Sequence, residues 1–217
     1  MIKAFGRALI LASLLADVQA GELAVYVKNE NGQPVKDAVV FAKTLVGNRT
    51  NSSASTEKPR TTTIAQINKQ FVPYVSAVQI GTAVSFPNKD DILHNVYSFS
   101  KAKKFQLPLY KDEAPEPVTF DKPGVVILGC NIHDWMVAYI YVLDTPYFAK
   151  TGSNGRAELK GLPVGEYRVQ VRHPRKRKRG SSPALRILVG LDDARQQSRF
   201  VIALKPEWRP QQVEGAN

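Results

Sequence analysis

Apolar residues alternate with polar ones in short runs along this chain, and Gly, Pro, Asn and Asp separate the runs. Such a period of two predicts strands, with one set of side chains facing a core and the other facing solvent. The runs are LAVYVK (23–28), DAVVFAK (37–43), AVSFPN (83–88), HNVYSF (94–99), VVILGC (125–130) and MVAYIYVL (136–143). RAELKGL (156–162), EYRVQVRH (166–173), ALRILVG (184–190) and RFVIALK (199–205) continue the series. Asn31-Gly32 is a strong turn signal between the first two runs. No stretch beyond residue 20 carries a convincing helical period, so the pattern predicts an all-β chain of sandwiches or barrels. Residues 46–60 (VGNRTNSSASTEKPR) are polar and rich in Ser, Thr and Asn, which predicts a loop or linker.

The first twenty residues have a different texture. Lys3 and Arg7 precede an apolar run from Ala8 to Leu15, and Val18-Gln19-Ala20 is a small-x-small site. That is the layout of an export signal cleaved after Ala20. The apolar run falls well short of the ~20 residues that span a bilayer, and no later run is long enough. The expectation is therefore a periplasmic protein without a transmembrane segment after cleavage. Removing Lys3, Arg7 and Asp17 takes the net charge from +11 to +10. So basic a surface favours acidic partners or an anionic membrane face. In an oxidising compartment the single cysteine cannot form an internal disulfide, which leaves an intermolecular bridge, an inert buried thiol or a metal ligand.

Two segments far apart share a second pattern. Residues 22–43, ELAVYVKNENGQPVKDAVVFAK, resemble the opening of carboxypeptidase regulatory-like and related small Ig-like β-sandwiches. The other half of that pattern is TGSNGRAELKGLPVGEYRVQVRHP, after residue 150. The resemblance implies one sandwich with a second inserted near the linker, since exposed loops with adjacent ends tolerate insertion. Two consecutive sandwiches sharing strands is the alternative. The expected division is a signal peptide at 1–20, the first part of an accessory sandwich plus linker at 21–60, an inserted domain at 61–144, and the rest of the accessory sandwich at 145–217.

The inserted segment carries the chemistry. In GCNIHDWM (129–136) the only cysteine, Cys130, is followed at intervals of three by His133 and Met136. The spacing C-x-x-H-x-x-M lies on a tight loop between two predicted strands, where the three side chains can converge. His94, at the start of HNVYSF, is the candidate fourth donor. Thiolate and thioether are soft donors and imidazole is intermediate; two His, one Cys and a weak axial Met suit copper. Structural zinc prefers four strong N or S donors, and iron–sulfur clusters need more cysteines.

With these residues in view, 61–144 look like a cupredoxin of the plastocyanin, pseudoazurin and amicyanin group. The match runs through V-S-F-P-N-x-D-x-x-x-H-N-V (Val84 to Val96) and F-D-K-P-G-V-V-x-L-G-C-N-I-H-x-x-M (Phe120 to Met136). The short ligand loop is similar to that of amicyanin, and the whole chain resembles larger exported proteins labelled methylamine-utilisation or plastocyanin-like. The resemblance implies a Greek-key cupredoxin sandwich holding one type 1 copper through His94, Cys130, His133 and Met136. It also implies that Asn95 braces the site by a hydrogen bond to the Cys loop, and that His133 is the electron's exit. Asp134-Trp135 departs from the pattern, since amicyanin has a proline after this histidine. An acidic residue there should lower the reduction potential, and Trp135 is either docking surface or packing.

The expected function is periplasmic one-electron transfer, with no enzyme activity: four ligands would saturate the copper and leave no position for substrate. No G-x-S-x-G, H-E-x-x-H or phosphate-cradling glycine loop is present. The alternative is a copper-binding or copper-trafficking protein without a shuttle role; a structural or adhesive sandwich with a secondary metal site is the third reading. The third histidine, His173, reads as a strand-end residue. Arg172 to Arg179 contains six Lys or Arg. No nucleic-acid recognition module accompanies it, so it reads as a solvated loop or as docking charge for an acidic redox partner or anionic membrane, with Lys101, Lys103 and Lys104 as an extension of that field.

Overall fold

The computed structural model describes residues 21–45, 60–177, 184–190 and 195–206. The export signal, most of the polar linker and the end of the basic run lie outside the described residues.

Two strands open the chain, β1 (Gly21–Asn29) and β2 (Val39–Thr44). A series of shorter strands follows: β3 (Thr61–Thr63), β4 (Ala65–Ile67), β5 (Gln70–Val72), β6 (Val75–Gln79), β7 (Thr82–Ser85) and β8 (Tyr97–Ser100). It continues through β9 (Lys103–Gln106), β10 (Val118–Phe120), β11 (Gly124–Gly129) and β12 (Val137–Leu143). The last strands are β13 (Phe148–Lys150), β14 (Arg156–Leu162), β15 (Gly165–Arg172), β16 (Ala184–Val189) and β17 (Arg195–Ile202). The chain is all-β, and no helix occurs among the described residues.

Strands before residue 46 pair only with strands after residue 147. The sheets are β14-β1-β17 and β13-β2-β15-β16. Alternation along β1 sends Leu23, Val25 and Val27 inward to meet Val40 and Ala42 of β2 and Tyr167, Val169 and Val171 of β15. Each such fully buried aliphatic side chain contributes ~1.5–3 kcal/mol. Strands between those limits pair among themselves, in sheets β10-β7-β3, β6-β12-β11-β8-β9 and the hairpin β4-β5. Their core includes Phe86, Phe120, Val126, Leu128, Ile140 and Met136.

The two sandwiches meet over a third apolar cluster. Val39 and Phe41 of β2, with Phe148 of β13, pack on Val75 of β6 and on Tyr141 and Leu143 of β12. The end of β2 and the residues just after β12 lie side by side there. Lys43 Nζ pairs with Asp144 Oδ1 at 2.6 Å, and the Thr145 hydroxyl donates to the Ala42 carbonyl at 2.6 Å. The contact takes in Tyr141 and Leu143 in the second half of β12, whereas the candidate donors Cys130, His133 and Met136 precede that strand.

Candidate metal centre

Two neighbouring strands bring the donors together. β11 ends at Gly129 and delivers Cys130 just beyond the ladder, while Gly129 lies opposite Tyr97, the first residue of β8. The sequence pattern places His94 at a strand start; the ladder instead begins three residues later. His94 is held by an isolated bridge to Tyr110, with N–H···O distances of 3.1 and 2.9 Å. It is thus fixed on both sides of the backbone without belonging to a regular strand.

The loop from Cys130 to Met136 folds back on itself. The Met136 N–H donates to the His133 carbonyl at 2.9 Å, closing a turn before β12 starts. Asn95 Oδ1 accepts the Asn131 N–H at 2.8 Å, the bond from His94's neighbour to the cysteine loop that the resemblance implies. As a result one ligand atom each from His94, Cys130 and His133 lies within 4.8 Å of the others, and all three residues are buried. Cys130 Sγ and His94 Nδ1 are 3.9 Å apart. The imidazole rings of His94 and His133 stand 4.9 Å apart, inclined at 62°. Met136 is 1% exposed and packs in the same core cluster as Cys130.

Hydrogen bonding decides which nitrogens are available. His94 Nε2 is 2.8 Å from Asp90 Oδ2. With that nitrogen donating its proton to the carboxylate, Nδ1 keeps its lone pair and faces the thiol. Asp90 also accepts the Asn68 N–H at 2.6 Å and the Lys69 N–H at 2.8 Å, both from the β4-β5 turn. Burial works to raise the Asp90 carboxyl, but these N–H bonds and His94 outweigh it and hold it below the ordinary carboxylate range. Asn68 and Lys69 have φ of 52° and 55°, the left-handed pair that aims consecutive N–H groups at one acceptor. Asn88 shapes the same loop, donating to the Ile92 and Tyr110 carbonyls and accepting the Asp90 N–H at 2.9 Å.

His133 differs from His94. Its Nδ1 is buried and has no hydrogen-bond partner among the described residues. Burial, the neighbouring His94 and Lys69 all push its pKa down, against a smaller upward pull from Asp90. A neutral imidazole with a buried, unpaired nitrogen is costly unless something else satisfies it. A first-row metal ion would do so. Bonds of ~2.0–2.3 Å to nitrogen and sulfur hold two such donors a little under 4 Å apart, and the Cys130–His94 separation of 3.9 Å fits that spacing. The donor set of one soft thiol and two imidazoles suits copper.

Sequence spacing missed the support beneath the donors. Asp90 is such a residue; its signal was a carboxylate four positions before His94. Trp135, read from the sequence as docking surface or packing, also belongs to that support: its indole N–H donates to the Lys69 carbonyl at 3.2 Å, and its ring lies 5.1 Å from that of His133. The β4-β5 turn is therefore tied to His94 through Asp90 and to the neighbourhood of His133 through Trp135. His173 lies elsewhere, where its Nδ1 accepts the Arg175 N–H at 3.1 Å and shapes a turn at the end of β15.

No protein-family model matches the chain, and no curated protein does. Part of the chain is similar to solved copper proteins. A copper-containing nitrite reductase from Thermus scotoductus SA-01 is 23% identical, with a TM-score of 0.39 over 48% of this chain. The match spans only 26% of that reductase. A reduced amicyanin variant is 20% identical, with a TM-score of 0.35 over 42% of this chain and 88% of its own. A purple cupredoxin from Nitrosopumilus maritimus is 22% identical, with a TM-score of 0.34 over 37% of this chain and 98% of its own.

Proposed function

We propose that this chain is a periplasmic copper protein of cupredoxin type that carries single electrons and catalyses no reaction of its own. The observation that carries this reading is the buried, unpaired Nδ1 of His133 beside the Cys130 thiol and the free face of His94. Copper bound there would supply a one-electron couple between its cupric and cuprous forms. His94, Cys130 and His133 would hold it as strong donors, with Met136 as a weaker fourth. Asp90 orients His94 and makes it a better electron donor. The strand ends and the Asn95 brace limit how far the donors can move, which suits a centre whose charge changes without its ligands rearranging.

Exchange with a partner fits the same end of the sandwich. Leu93, Leu109 and Ile132 are each about half exposed, and each adjoins a residue of the site or of its bridge. Such a patch beside a half-buried Trp135 suits a protein partner, with His133 as the exit for the electron.

Adding Cu(II) to the purified metal-free chain tests this reading. An intense visible thiolate-to-copper band and reversible voltammetry are expected. A chain that takes up only Cu(I), stays colourless and gives it up readily would be a delivery protein instead.

A further inference from the structure

Residues 107–117 join β9 to β10 without a strand of their own. Connections of this kind move more than the strands they join unless side chains tie them down. Tyr110 is such a tie. It is 8% exposed and belongs to the same core cluster as Cys130 and Met136. Its hydroxyl donates to the Phe86 carbonyl and accepts a hydrogen bond from Gln66 Nε2 at 2.7 Å. Its own carbonyl accepts from Asn88 Nδ2 at 3.0 Å. The His94 N–H donates to that same carbonyl, and the Tyr110 N–H donates back to the His94 carbonyl. Whatever fixes Tyr110 therefore fixes the backbone from which the His94 ring starts.

Gln66 indicates that this tie has a purpose beyond filling the core. The residue is fully buried in β4, and its Oε1 has no hydrogen-bond partner among the described residues. A buried oxygen left unpaired is destabilising, and an apolar side chain of similar size would avoid it. What the amide supplies is Nε2, which reaches the Tyr110 hydroxyl and, at 3.4 Å, the Phe86 carbonyl. The backbone of Gln66 is itself fixed, with its N–H on the Pro87 carbonyl and its carbonyl on the Lys89 N–H, each at 2.9 Å. A polar network of this kind makes one core arrangement rigid and unique where apolar packing would allow several.

We propose that Tyr110 is a positioning residue for the metal centre, whose hydroxyl, held by Gln66 and Phe86, sets where the His94 imidazole stands relative to Cys130 and His133. This rests on the copper reading given above. Its role is separate from that of Asp90, which fixes the rotation and tautomer of the ring.

The test compares Tyr110→Phe, alone and combined with Gln66→Leu, with the parent chain. The single change leaves Gln66 Nε2 without its hydroxyl partner and should lower stability. The double change removes the stranded amide as well, so stability should return towards that of the parent. Copper affinity, measured by chelator competition, should nevertheless stay about tenfold lower in both variants. The thiolate-to-copper band should be shifted or broadened in both. In the metal-free chain the His94 amide should exchange with deuterium about tenfold faster than in the parent. Ile140→Val, in the same core cluster, is the control; it should lower stability and leave affinity, band and His94 exchange unchanged. Circular dichroism shows which variants are folded, and either folded tyrosine variant decides the matter. A folded variant with the affinity, band and His94 exchange of the parent would make Tyr110 a core-filling residue and overturn the proposal. So would equal effects from Ile140→Val. A parent chain that takes up no Cu(II) would end the copper reading alone, and the exchange rates of the metal-free variants would then decide whether Tyr110 holds His94.

Discussion

The carboxylate of Asp90 stands 2.8 Å from Nε2 of His94 and also accepts the N–H groups of Asn68 and Lys69. One anion thus joins a candidate metal donor to the turn of a neighbouring hairpin. It fixes both the ring's tautomer and its rotation, and its negative charge makes the free nitrogen a stronger donor. Asp90→Asn keeps the size but removes the charge. Copper affinity, measured by chelator competition, should fall about 10–100-fold. The reduction potential should rise, because a less basic imidazole favours the cupric state less. An unchanged potential would mean that Asp90 serves only the hairpin.

The two sulfur residues should part in their effects. Cys130→Ala removes the thiolate that gives the visible band, so the band should vanish even if the two histidines still take up metal. Met136→Ala should retain copper and its colour with a shifted potential, because an axial thioether bond is long and weak. Absorption spectra and voltammetry of both variants check this pair. Complete loss of copper from the methionine variant would show that Met136 is a principal ligand.

The metal-free protein should lose stability as pH falls below neutrality. Burial, His94 and Lys69 hold the folded pKa of His133 below its ordinary value, whereas the unfolded chain titrates at about 6.5. Below that pH the unfolded state binds the proton more readily, so stability present above about 6.5 drains away down to the folded pKa. Asp90 adds a second loss with the same sign at lower pH. Its folded pKa is depressed, so its contribution is present above about 3.9 and is lost as pH falls through the folded value. Urea denaturation of the metal-free chain across this range should show both slopes, and His133→Phe should remove only the upper one.

What the sequence revealed follows from the length of each pattern. The seven- to nine-residue strands β1, β12, β14 and β15 carry enough alternation to be read directly. TTT, AQI, QFV, VTF and FAK are three-residue strands, too short to show a period, and their partners make them strands. β9 reads as polar because it is an edge strand, where lysines such as Lys103 and Lys104 deter further pairing. At the site, side chains that can bind metal stand out by type and spacing. Asp90 and Lys69 do not, since they act on those side chains through bonds that exist only once the hairpin and the 88–94 loop are folded together. Asn95 was legible only through resemblance, as a polar residue next to a donor.

The accessory sandwich should be breakable without loss of the candidate centre. Gly155 has φ +71° and sits in the turn before β14, where its carbonyl accepts the Val27 N–H at 2.8 Å. A Cβ there would stand 2.5 Å from the Val27 carbonyl oxygen and 3.1 Å from the Val35 nitrogen. Both contacts are backbone atoms held by β1 and its hairpin, so they cannot move aside as a flexible side chain would. Gly155→Ala should therefore destabilise the accessory sandwich by about 2 kcal/mol or more, from the clash and the left-handed backbone together. Gly152→Ala, whose nearest contact is a side-chain oxygen at 3.4 Å, is the control and should cost much less. Calorimetry should show a lowered transition in the Gly155 variant while the visible spectrum of the copper-loaded chain stays unchanged. A spectrum that shifts with the melt would show that the Phe41–Tyr141 contact transmits strain from one sandwich to the donors of the other.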